Sequence, residues 1–328
     1  VIKFLKNLFH FTLALIIAMI IGLFLPPTPR ASTSHLFSKI DKDLLLRNAP
    51  SPRMILVGGS NLSMSLNSQQ LLDSLKYNPV NTGLSASLGL LYMLDHTLPF
   101  VRTGDIVIIS PEYSQFYEKL SIGTEDLPRV LLDTSPVEMF KLRWPQFANS
   151  LKYFPRYCLS KYKLTEYFNK AKSDGQQVYL RNSFNQFGDM NKHWDLKKRE
   201  FNPLPVAAPN SFDPEVLSYL VNFRKLVEQR GARLYITFPA LDENSFSNEE
   251  KEITFIDQQL KSEHFILLGN PIRYRMADSL MFDTPYHLTR KGVNIRTQML
   301  IEDLRVELNR QRKYSNDLLT QNPITLCK

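Results

Sequence analysis

The stretch Leu8 to Leu25, LFHFTLALIIAMIIGLFL, constrains this chain more than any other, because it contains no Asp, Glu, Lys or Arg. As a helix at about 1.5 Å per residue it extends about 27 Å, close to the hydrocarbon thickness of a bilayer. A helix packed on a soluble core would need a polar face, and this run has none. Lys3 and Lys6 precede it, which keeps the amino end cytoplasmic, and Pro26-Pro27 closes it. A cleaved signal peptide has a shorter apolar core and a small-residue cleavage site, and PPTPRAST is a poor one. The expectation is an uncleaved signal anchor over residues 1–30, single-pass in a bacterial cytoplasmic membrane. Residues 31–328 would then form one periplasmic, or otherwise extracytoplasmic, domain.

The compartment bears on the charge and the cysteines. The formal net charge is +8, and residues 141–200 account for it, with 13 Lys/Arg against 5 Asp/Glu. That stretch also holds both tryptophans, Trp144 and Trp194. Basic residues among aromatics can signal nucleic-acid binding, but export argues against nucleic acid as partner. The remaining readings are a solvated helical face, a surface for anionic lipid, or a surface for glycan. The two cysteines, Cys158 and Cys327, form no CxxC pair, so no thiolate metal site is expected. A disulfide between them stays open outside the cytoplasm. No metal and no cofactor are expected.

Beyond the tether, short apolar strand patterns alternate with helical ones. MILVGG (54–59), PVNTG (79–83), DIVIISPEY (105–113), ARLYITFPA (232–240) and HFILLGN (264–270) read as strands. SQQLLDSL, SLGLLYMLDHTLPFV, PEVLSYLVNFRKLVEQRG, NEEKEITFIDQQLKS and a last segment from about Thr289 to Asn309 read as helices. Continuous apolar strands separated by helices predict an α/β fold with a parallel, doubly wound (flavodoxin-like) sheet. Residues 115–205 interrupt the alternation and read as a mostly helical, basic and aromatic insertion.

Open α/β sheets bind ligands beyond the carboxyl ends of their strands. VGGSN places Ser60 there, exposed at a helix start, where its own N–H can face a developing oxyanion. NTG places Gly83 at the same edge, where its amide can approach substrate. FDTPYHLTRKG supplies His287 as general base and Asp283 to orient it. Each also has a plainer reading: Ser60 as a helix cap, Gly83 as a turn glycine, Asp283 as a cap on Thr284-Pro285. Glu112 reads as a structural acid at a strand end.

GGSN, NTG and DTPYHLTRKG together resemble the blocks of the SGNH (GDSL-like) hydrolase superfamily, over roughly residues 52–113 and 214–309. The anchor adds a similarity to extracytoplasmic SGNH proteins of the DltD or polysaccharide O-acetylation type. The resemblance implies Ser60 as nucleophile, Gly83 as a second oxyanion donor, and Asp283 and His287 as the rest of a triad. Three departures accompany it. Gly59 stands where the family has Asp, the Asp283–His287 spacing is four rather than three, and SPEY lacks the Asn that donates to the oxyanion. Asn185 in FNQFGD, or Asn61, could substitute for that Asn. The implied activity is a serine esterase or O-acyltransferase on an acylated cell-envelope glycan, with a membrane-bound acyl donor protein as a further partner. The alternative is an inactive SGNH-like module that binds glycan or scaffolds an envelope complex.

Overall fold

The computed structural model describes residues 1–117, 119–168, 177–206 and 212–321, with side chains to 311 and at 313. Its frame is an α/β domain around a five-stranded parallel sheet of order β2-β1-β3-β4-β6. The strands are β1 (Arg53–Gly58), β2 (Asn78–Asn81), β3 (Ile106–Ser110), β4 (Arg233–Thr237) and the two-residue edge β6 (Leu267–Leu268). A second, two-stranded parallel pair joins β5 (Leu241–Asp242) to β7 (Arg275–Met276), and the sequence pattern did not foresee it.

β1 lies inside the sheet between β2 and β3 and is buried at every position, which is why its sequence is apolar without alternation. Its register with β3 runs from Met54↔Ile106 to Gly58↔Ser110. Successive side chains supply two separate cores. Ile55, Val57, Val107, Ile109 and Ile236 enter one, together with Val216, Leu220, Phe223 and Val227 of helix Pro214–Gln229. Met54, Leu56, Ile106, Ile108 and Tyr235 enter the other, with Leu300, Ile301 and Leu304 of the last helix, Arg290–Gln321. Both faces of the sheet are therefore covered by apolar side chains, and that last helix runs well past the expected Asn309.

At the amino edge of the sheet, Arg53 is fully buried. Its guanidinium meets both Asp105 carboxylate oxygens, at 3.1 and 2.5 Å, and the carbonyls of Leu46 and Phe100, each at 2.6 Å. With its donors spread over four acceptors, this buried charge is compensated rather than stranded. The opposite, carboxyl edge carries the polar residues described below.

Within the expected insertion, residues 126–168 are short helices: Asp126–Thr134, Trp144–Leu151, Phe154–Ser160 and Thr165–Phe168, with a 3-10 segment Pro136–Lys141. Residues 177–206 are instead largely irregular, with 3-10 turns at Arg181–Ser183 and Lys192–Asp195. The N-terminal helix Ile2–Phe24 is long and apolar enough to cross a membrane, and most of its side chains point away from the protein.

Candidate active site

β1 delivers the chain to Ser60 through two glycines that no larger residue could replace without displacing neighbours. A methyl group at position 58 would lie 2.7 Å from the Ser110 carbonyl oxygen. One at position 59 would lie 2.8 Å from Glu112 Oε1 and 2.9 Å from the Ala86 nitrogen. This crowding leaves no volume for a side chain at position 59. Ser60 then opens the short helix Ser60–Ser63 and remains partly exposed.

The second half of the site comes from the loop before the last helix. Phe282 and Leu288 are both fully buried, and the bridge Met281↔Leu288 with the bond from Phe282 N–H to the His287 carbonyl (2.8 Å) closes the loop between them. Asp283 and His287 are held inside that closed loop. The four-residue spacing is thus absorbed by a turn, in which Thr284 Oγ1 accepts the Tyr286 N–H. His193 supports the loop from behind: it is buried, bonded to the Leu288 carbonyl at 2.9 Å and tilted against Phe282. Burial depresses its imidazole to about 4, so it stays neutral there.

Ser60, His287 and Asp283 form a continuous chain of hydrogen bonds. Ser60 Oγ and His287 Nε2 are 2.9 Å apart, and His287 Nδ1 and Asp283 Oδ1 are 2.8 Å apart. With Asp283 ionised, the imidazole proton sits on Nδ1, and Ser60 donates to Nε2. Burial pushes the Asp283 carboxyl up, but hydrogen bonds from His287 and Tyr179, and the charges of His287 and Arg199, hold it below the usual carboxylate range.

Tyr179 is the member that sequence reasoning missed. Its hydroxyl donates to Asp283 Oδ2 at 2.8 Å and lies 3.2 Å from His287 Nδ1. Burial and the neighbouring Asp283 charge raise its pKa well above the ordinary phenol value, so it remains a donor. Nothing in QQVYLRN marks this tyrosine, because its partner lies 104 positions away in sequence.

The expected oxyanion donors are placed differently. Gly83 packs directly under the Gly59-Ser60 turn, since a methyl group there would lie 2.6 Å from the Gly59 carbonyl. Its N–H, however, is bonded to Asn81 Oδ1 at 3.0 Å, so Gly83 acts as a close-approach glycine with its donor occupied. Asn185 is also not brought to Ser60. Its amide donates to Asp189 Oδ2 at 3.1 Å and its side-chain oxygen accepts the N–H groups of Phe187 and Asp189. Asp189 in turn binds Ser68 and Asn81, so this network fastens the insertion to the sheet edge. Asn61 donates to the Ser110 carbonyl and hydroxyl, joining the ends of β1 and β3.

Two other groups take the places beside Gly59. The Ala86 amide opens a 3-10 turn, where no intrahelical acceptor exists for it. Glu112 is buried, its Oε1 has no hydrogen-bond partner, and burial lifts its carboxyl to about 7, partly offset by a bond from the Asn61 N–H. Among the described residues no three His, Cys, Asp or Glu side chains gather as a metal site. Cys158 is buried as a free thiol, while Cys327 lies outside the described residues, and with it the question of a disulfide between the two.

A cleft of about 1010 Å³ opens between the insertion and the starts of helices Pro214–Gln229 and Glu250–Ser262, lined by Tyr113, Tyr117, Lys152, Tyr153 and Glu249 among others. Its lining does not include Ser60, Asp283 or His287. Comparison with known proteins found no matching family model, no matching curated protein and no matching solved structure.

Proposed function

We propose that the chain is a membrane-anchored, extracytoplasmic serine esterase or O-acyltransferase of SGNH type, acting on acyl groups of a cell-envelope glycan. The observation that carries this reading is the unbroken hydrogen-bond chain Ser60–His287–Asp283 at the carboxyl edge of a parallel sheet. The strand order and the two covered sheet faces support a doubly wound, flavodoxin-like arrangement, in which that edge is where ligands bind.

In this mechanism His287 Nε2 accepts the Ser60 proton as Oγ attacks the ester carbonyl carbon. The imidazolium is stabilised by Asp283, itself held by Tyr179. The Ser60 N–H faces the developing oxyanion, with the Ala86 amide next to the same turn. His287 then returns the proton to the departing alcohol, leaving an acyl-serine. Water as second acceptor completes an esterase, and a sugar hydroxyl completes a transferase. A membrane-bound acyl donor protein fits the second outcome.

The occupied amide of Gly83 and the committed side chain of Asn185 favour the rival reading, a non-catalytic glycan-binding or scaffolding module. Treating the full chain in detergent with a fluorophosphonate serine probe separates the two. The enzyme reading expects labelling that Ser60→Ala abolishes and His287→Ala reduces at least a hundredfold, in line with losses on removing a general base, about 10²–10⁴. Absence of labelling in the folded parent would move the binding module to the front.

A further inference from the structure

The end of the N-terminal helix is not a free stalk. Helix Phe154–Ser160 lies flush against it at Gly22, where an added methyl group would come within 2.8 Å of the Cys158 carbonyl oxygen. Just beyond that helix, the Tyr162 hydroxyl donates to the Ala18 carbonyl at 2.6 Å. Higher up, Lys161 Nζ reaches the Pro26 carbonyl at 3.3 Å and Asp133 at 2.7 Å. The following turn of helix, Thr165–Phe168, is fixed to the exit segment through Glu166, which accepts from Thr28 and pairs with Arg30.

These contacts set a depth. Ala18 precedes Leu25, the last residue of the apolar run, by seven positions, which is about 10 Å along a helix. Half the hydrocarbon thickness of a bilayer is only about 15 Å. If Ile2–Phe24 spans the membrane, Tyr162 and its neighbours lie below the level at which the span leaves the hydrocarbon. Most of the side chains they present outward fit that position, the exception being Arg156 on the first turn of Phe154–Ser160, exposed and ion-paired with Glu125. Leu159, Tyr162, Leu164, Tyr167 and Phe168 are exposed in the protein, Leu164 to 72% and Phe168 to 78%. Lys163, in the turn, can extend its ammonium back toward headgroups while its stem stays apolar. Tyrosines flanking an apolar wedge are the composition of a membrane–water interface.

We propose that residues 154–168 form a second membrane-seated element, a helical hairpin inserted into the domain-side leaflet beside the spanning helix, with lipid as its occupant. This rests on reading Ile2–Phe24 as an anchor. The hairpin turns a single flexible attachment into a two-point one. It holds the catalytic edge at a fixed height and tilt above the bilayer.

The test uses the full chain with Cys158 and Cys327 replaced by Ala, reconstituted into phosphatidylethanolamine–phosphatidylglycerol vesicles. An environment-sensitive fluorophore is attached in turn to Leu164→Cys, to Ile16→Cys on the spanning helix, and to Val306→Cys on the last helix. Quenching by doxyl-labelled acyl chains is compared with quenching by aqueous iodide. The label at 164 is expected to follow that at 16, several-fold more sensitive to doxyl lipid than to iodide, with 306 showing the reverse. Lipid quenching at 16 but iodide quenching at 164 would overturn the hairpin and leave the anchor standing. Iodide quenching at both would remove the anchor reading and the proposal together. Protection of 164 from both quenchers would mean that a second copy of the chain covers the face, and would also overturn it.

Discussion

The phenol of Tyr179 joins a triad whose other members come from the two ends of the α/β domain. Its bond to Asp283 Oδ2 adds a second donor to a carboxylate already engaged by His287. Tyr179→Phe should therefore slow fluorophosphonate labelling of Ser60 by about tenfold, the worth of one hydrogen bond to a charged group. Labelling at the parental rate would reduce Tyr179 to a packing role. Glu112 makes a prediction of a different kind. Its carboxyl stands at about 7 against an ordinary 4.5. Below pH 4.5 folded and unfolded chains both hold the proton, and nothing is lost. Between 4.5 and 7 the unfolded chain releases it while the folded chain keeps it, so stability falls as pH rises. Above 7 the loss levels off at about 3 kcal/mol. Glu112→Gln should remove this dependence, raising the urea midpoint relative to the parent at about pH 8 and matching it at about pH 4. Parallel pH profiles for the two proteins would show that Glu112 does not titrate in this way.

Among elements, the Gly59-Ser60 turn depends on backbone surfaces meeting without side chains between them. Gly83→Ala forces a methyl group toward the Gly59 carbonyl, 2.6 Å away, and toward the Ser63 nitrogen, 2.9 Å away. Such overpacking should cost about 1–3 kcal/mol of stability and depress Ser60 labelling, measured by denaturant melts and probe kinetics together. An unchanged protein would mean that the turn moves freely. The same elements mark how far the sequence could be read. Ser60, Asp283 and His287 were legible because each follows an apolar strand pattern or precedes a helix, so its edge of the sheet was predictable. Gly83 was read as bringing its amide to substrate, whereas its close approach is to the Gly59 carbonyl. That Asn81, two residues earlier, would take its amide was not legible, because this depends on where a side-chain oxygen turns in space. Asn185 failed for the same reason, its polar atoms being consumed within its own loop. The parallel sheet followed from strand composition. The β5–β7 pair, two residues on each side, carried no periodicity to detect.

Across the whole molecule, the buried ion pair and the Ser60 site are separated by the length of the strands. Arg53 and Asp105 are both fully buried at the amino edge, and Ser60 lies at the carboxyl edge. Arg53→Met leaves the Asp105 charge without its guanidinium and should destabilise by about 3–5 kcal/mol. Labelling of Ser60 in the fraction that remains folded at low temperature should be unchanged. A parallel loss of labelling would show that the sheet transmits strain from one edge to the other.

The exit segment from the N-terminal helix does more than connect. Ser34 bridges to Leu180, the His35 N–H donates to the Tyr179 carbonyl at 3.1 Å, and the two rings meet edge to face at 5.3 Å. The residue that steadies Asp283 is thus itself steadied by the first residues past the tether. A domain excised after this point would keep its serine, histidine and aspartate yet lose the scaffold of their fourth companion. Detachment would therefore act as a tuning step rather than a neutral cut, loosening the tyrosine that holds the Asp283 carboxylate in place.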